Sequence, residues 1–139
     1  MADSRQHVLV VGANKTGLER VAPLLRRAEF SVHSVEPSPF LLDLVLSTPF
    51  ELVIVDYPLD TLPLDDLIDT LRDEGSACRN AGLLLLAEPD LLEDAQAMVD
   101  LGANRAICCE WSEARLWQSI GDLLEVAPRV FMRVLMHAE

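Results

Sequence analysis

The sequence has no apolar stretch that approaches the ~20 residues needed to cross a bilayer, so no membrane span is expected. It also lacks positive charge. Eleven Lys and Arg stand against 23 Asp and Glu, a net charge of −12. Direct binding to a nucleic-acid backbone or an anionic membrane is therefore not expected, because both would be repelled. Cysteine is scarce: Cys78, Cys108 and Cys109 are three in number, and none shows CxxC spacing. That usage fits a reducing compartment. Cys108 and Cys109 are neighbours on a predicted strand and should point to opposite faces, a poor arrangement for sharing a metal. The short polar start, Met1 to His7, runs at once into a strand and does not read as a signal peptide. A cytoplasmic location is expected. No internal repeat or low-complexity segment is seen.

What is present is a chain of 139 residues, half of them apolar. That is enough for one domain with a full core, and it argues against disorder. Strand and helix patterns alternate along it. His7 to Val11 is a short β-branched run ending at Gly12. From Thr16 to Phe30 apolar residues recur at Leu18, Val21, Leu24, Leu25 and Ala28, a helical period in which Pro23 should produce a kink. Ser31 to Val35 is half polar and reads as an edge strand; Phe40 to Leu46 reads as a short helix. Leu52 to Val55, closing in Asp56, and Gly82 to Ala87 are buried strands. Between them Leu64 to Asp73 is amphipathic. A fourth helix is expected from Pro89-Asp90 to about Leu101, stopped by Gly102. Arg105 to Cys109 is a fifth strand. Ser112 then caps a last helix with Leu116, Ile120, Leu123 and Leu124 on its apolar face. Five βα units of this kind predict an α/β fold with a parallel sheet covered on both faces and right-handed crossovers.

Open α/β sheets place their sites at the carboxyl edge of the strands. One acid, Asp56, is delivered there. With Val8-Leu9-Val10-Val11 followed by Asn14-Lys15-Thr16, with Leu52 to Asp56 and Leu59, and with Leu101-Gly102-Ala103 leading into the fifth strand, the chain resembles the response-regulator receiver family. The resemblance covers residues 7 to about 126. It implies a flavodoxin-like (βα)5 fold, strand order 2-1-3-4-5, with Asp56 in the place of the phosphoacceptor. The family's two Mg²⁺-holding acids fall at Gly12 and Ala13. Its Thr or Ser at the end of the fourth strand falls at Leu86, or at Ala87 if shifted by one, and its Lys at Cys109. The Pro that follows that Lys is Glu110, and the aromatic switch region reads Arg105-Ala106-Ile107. Of the five functional features, Asp56 alone remains.

Phosphoryl transfer rests on positioning and charge neutralisation. Mg²⁺ wants oxygen ligands in near-octahedral array, typically with one or two carboxylates, and Asp56 alone is a poor cage. No metal or other cofactor is expected. A phosphoryl group would face Glu88 and Glu110 on the same rim. Like charges ~5 Å apart at an effective dielectric of ~20 repel by about 3 kcal/mol. Two readings of Asp56 stand, beside recognition of some other ligand in the pocket. It is a relict carboxylate that caps a loop or helix start, or a phosphoacceptor served by unusual helpers, with Asp60, Glu88 or Glu110 as a substitute metal ligand.

The leading expectation is a non-phosphorylatable pseudo-receiver, a protein–protein interaction module in bacterial signal transduction. The alternative is a true two-component receiver using Asp56. Family members dimerise or dock partners through the fourth helix, fifth strand and fifth helix. Here that face is expected to include Ala97, Asp100, Arg105, Trp111, Arg115 and Trp117, and Trp and Arg are enriched at binding hot spots. After Ala127-Pro128 the tail changes character. Arg129 and Arg133, spaced R-x-x-x-R around Phe131, resemble the opening of a PilZ domain, whose arginines grip cyclic di-GMP. The alternative is a basic amphipathic tail packing on the domain or a partner. The barrel of such a domain is not in this sequence, so cyclic di-GMP binding by this chain alone is not expected. Residues 1–126 are read as the receiver-like domain and 127–139 as tail or linker. Receiver–PilZ architectures suggest control of motility or cell polarity. An enzyme is not expected: Cys108 and Cys109 have no base paired with them, and His7, His33 and His137 are poorly placed to serve.

Overall fold

Strand and helix alternate through the whole described chain, and every strand is parallel to its neighbours. The structure is a computed structural model and describes residues 6–12, 16–59 and 62–124. The strands are β1 (His7–Val11), β2 (Ser31–Val35), β3 (Leu52–Asp56), β4 (Gly82–Ala87) and β5 (Arg105–Cys108). The helices are α1 (Thr16–Arg27), α2 (Phe40–Ser47), α3 (Leu64–Arg72), α4 (Leu92–Ala97) and α5 (Glu113–Leu124). The sheet order is β2-β1-β3-β4-β5, as the resemblance implied.

Burial follows from this order. The central strands β3 and β4 are apolar at nearly every position because helices cover both faces. The half-polar β2 is an edge. Alternation sorts side chains into two cores. Leu9, Val11, Val53, Val55, Leu83 and Leu85 pack with α2 and α3. Val8, Val10, Leu52, Ile54, Leu84 and Leu86 pack with α1 and α5. Pro23 lies inside α1, which continues through it.

The last helix begins as its sequence indicates. The hydroxyl of Ser112 accepts from the Arg115 amide at 3.2 Å, and its carbonyl accepts from Leu116 at 2.9 Å. The fourth helix differs from expectation. The segment forms a 3₁₀ turn at Pro89–Leu91, the six-residue α4, and a second 3₁₀ turn at Met98–Leu101. The cause is a narrow anchor. Ala95 is the one residue of α4 that is buried, while Val99 and Leu101 stay exposed. Little apolar burial holds an α-helical register there, so the tighter turn closes the segment. Gly102 follows with φ +130°, and a Cβ there would lie 2.7 Å from Ile68 Cγ2. Close approach to α3 requires glycine at this position.

Candidate functional site at the carboxyl edge

Asp56 ends β3, half-buried, and pairs in register with Leu86 of β4. On its other side Val11 pairs with Val55, so Gly12 follows opposite Asp56. A Cβ built on Gly12 would lie 3.1 Å from Asp56 Cβ and 2.5 Å from Leu18 Cδ1. The place where the receiver family carries an acid is thus already filled by an apolar group from α1. Ala13 and Asp60 lie outside the described residues. Leu86 and Ala87 are both fully buried, and neither carries a hydroxyl.

Cys109 stands one residue past β5, not within it as expected. The Cys109 amide still donates to the Ala87 carbonyl at 2.9 Å in the ladder, and the chain turns here because the Cys108 carbonyl accepts from the Trp111 amide at 3.2 Å. Burial pushes the Cys109 thiol up, and the neighbouring Cys108, Glu88, Glu110 and Asp56 push it further in the same direction. Cys109 thus feels the acids Glu88, Glu110 and Asp56 together. The expected consequence is a thiol less reactive than a free one. Alkylation of Cys109 by iodoacetamide is expected to be slower at neutral pH than that of an unstructured thiol. Glu110→Gln should speed it by lowering the thiol's pKa. A rate that Glu110→Gln leaves unchanged would contradict this influence of Glu110.

Sequence reasoning missed Arg20. Its Nη1 donates to the Cys109 carbonyl at 2.6 Å, tying α1 to the turn after β5. One signal was available: Arg20 sits four residues before the buried Leu24 and so shares its face of α1. The acceptor, 89 positions along the chain, carried none.

The expected interaction face divides. Ala97, Asp100 and Arg115 are exposed, and Trp111 is half-buried. The Arg115 guanidinium stacks 3.5 Å from the centroid of the Trp111 ring. Arg105 is turned onto α5, with Nη1 3.4 Å from both Asp122 and the Ser119 carbonyl. Trp117 does not belong to the face. It is fully buried in the core between the sheet, α1 and α5. The reason is the width of the α5 apolar stripe, which takes in Trp117 beside Leu116 and Ile120. Arg129 and Arg133 lie outside the described residues.

A groove of about 450 Å³ runs beside the edge strand. Val10, Gly12, Leu18, Arg26 and Glu36 are among its lining residues, and Asp56 is not. Among the described residues no group of three or more His, Cys, Asp or Glu side chains is placed to hold a metal ion. At residue 12 the described neighbours of Asp56, Gly12 and Leu18, supply no side-chain oxygen for Mg²⁺. No helix of the described residues is long and apolar enough to cross a membrane.

No protein-family model and no curated protein matches the chain. Solved structures do. A putative response regulator from Chloroflexus aurantiacus has a TM-score of 0.75 at 18% identity, covering 88% of this chain and 100% of that one. The chemotaxis response regulator CheY4 of Vibrio cholerae has a TM-score of 0.72 at 16% identity, covering 86% and 99%. The receiver domain of a sensor histidine kinase from Pseudomonas aeruginosa, solved with a magnesium ion coordinated in its active-site cleft, has 0.72 at 17%, covering 88% and 100%. The fold of this chain is that of these receiver domains.

Proposed function

We propose that this chain is a pseudo-receiver: a receiver fold kept for its surface, serving as a protein–protein interaction module in bacterial signalling. The observation that carries the reading is the closure of the pocket. Gly12 faces Asp56, and the Leu18 side chain fills the space that an acid at residue 12 would need. The buried Leu86 and Ala87 offer no hydroxyl, and Glu88 and Glu110 near Cys109 make the rim acidic where a cation would be required. A phosphoryl group on Asp56 would meet repulsion with little to offset it. The reading assigns no catalysis and no resident cofactor. It makes Asp56 a structural carboxylate.

The docking surface we assign is the stacked Trp111–Arg115 pair, with the exposed Ala97 and Asp100 of the fourth crossover. A cytoplasmic role in motility or polarity fits this assignment by analogy of fold alone. The same holds for reading Arg129 and Arg133 as the opening of a PilZ domain; cyclic di-GMP would then need more chain than this.

One observation favours the alternative of a live phosphoacceptor. The Arg20 guanidinium reaches the rim at Cys109 and would be a cation in an otherwise acidic place. A beryllofluoride titration in Mg²⁺, followed by amide NMR, separates the two readings. The pseudo-receiver shows no saturable shifts around Asp56. Shifts that saturate in the native chain and vanish in Asp56→Ala would establish the switch.

A further inference from the structure

A second cluster lies away from the carboxyl edge. His7 opens β1, and His33 lies in the middle of the edge strand β2, with His7 in register with Ser31 and Leu9 with His33. Alternation puts both imidazoles on the face of the sheet covered by α2 and α3. Nδ1 of His7 stands 3.0 Å from Nε2 of His33, and the Ser31 hydroxyl oxygen lies 3.3 Å from that same Nε2. The rings are 5.2 Å apart between centroids, with their planes tilted by 31°. Phe50 meets the His33 ring edge-on at 5.6 Å and fixes its orientation. Solvent reaches the pair, since His33 is exposed and His7 half-buried.

We propose that His7 and His33 form a two-imidazole binding site for a divalent transition metal of the Ni²⁺ class, which clamps the edge strand β2 to β1. Imidazole nitrogen is a preferred donor for these ions. The spacing suits them. With metal–nitrogen bonds of ~2.0–2.1 Å, donors 3.0 Å apart subtend about 90–97° at the metal. That is the cis angle of an octahedral or tetragonal ion, narrower than the angle a tetrahedral ion such as structural Zn²⁺ prefers. Each ring offers its facing nitrogen as a lone pair, and its proton resides on the other ring nitrogen. Among the described residues no third His, Cys, Asp or Glu completes the set, so water fills the remaining positions. The net charge of −12 draws cations to the chain. The clamp would act on β2, an edge strand bonded on one side only, and a metal bound to the folded chain adds to its stability.

The test is a Ni²⁺ titration of the full chain in a non-coordinating buffer, by calorimetry and by paramagnetic loss of amide NMR signals. Ni²⁺ is chosen because it does not oxidise the cysteines. One site is expected, with the amides around His7 and His33 lost first. His7→Ala and His33→Ala should each weaken binding at least about tenfold. Both replace side chains outside the core, and their amide spectra report whether the fold is kept. His137→Ala should change nothing. Absence of binding, native affinity kept in either strand variant, or loss on His137→Ala alone would overturn the proposal.

Discussion

Trp117→Ala is expected to lower stability by about 3–5 kcal/mol. Trp117 is fully buried, tilted against Phe30 at 6.4 Å between ring centroids, and packed with Leu116 and Ile120 beneath α1. Removing the ring leaves a cavity that the sheet and two helices cannot close. Its indole Nε1 has no hydrogen-bond partner among the described residues. Trp117→Phe therefore removes an unsatisfied donor along with some volume, and should cost far less, about 1 kcal/mol. Urea unfolding of both variants checks this. A Trp117→Ala loss below about 1 kcal/mol would mean that the side chain is not in the core.

Arg72→Ala should cost about 3 kcal/mol, through polar groups instead of apolar volume. The guanidinium joins three segments near the amino ends of β4 and β5. Nη1 donates to the Ala81 carbonyl at 2.6 Å and the Arg79 carbonyl at 2.9 Å. Nη2 reaches Asn104 Oδ1 at 2.8 Å and the Gly102 carbonyl at 3.2 Å, and Nε reaches Gly102 at 3.3 Å. Asn104 Oδ1 in turn accepts from the Leu83 amide at 2.7 Å, so the network enters the sheet itself. Desolvation lowers the Arg72 pKa from its ordinary value, while the nearby Cys78 acts to raise it; the group stays charged at neutral pH. Lysine is no substitute, because a single ammonium cannot fork to four acceptors on two separate loops. Arg72→Lys should lose most of the same stability by urea denaturation. Full rescue by Lys would show that charge alone, not the fork, holds these turns.

The sequence reading and the structure part where long-range contacts decide. The five alternating units were legible because β3 and β4 are continuous apolar runs and α1, α3 and α5 keep a helical period. The sheet order came from the resemblance and not from periodicity, which is blind to neighbours. The break in the fourth helix was harder to see. Its sequence looks helical throughout, and only the exposure of Val99 and Leu101 shows that little anchors its last turn. Trp117 was misread as surface, although Leu116, Trp117, Ile120, Leu123 and Leu124 together trace a wide helical stripe in the sequence itself. Arg20 and Arg72 bind carbonyls far along the chain, and no local pattern marks a distant acceptor. At the site, the absence of acids at residues 12 and 13 was readable directly. That Leu18 fills the space at Gly12 was not, because it depends on how α1 seats against β3.

The most direct test of the pseudo-receiver reading is the intact mass of the full chain after incubation with acetyl phosphate and Mg²⁺, beside Asp56→Ala. A closed, metal-poor and acidic pocket predicts identical masses for treated and untreated protein. A gain of one phosphoryl group in the native chain that is absent from Asp56→Ala would contradict it.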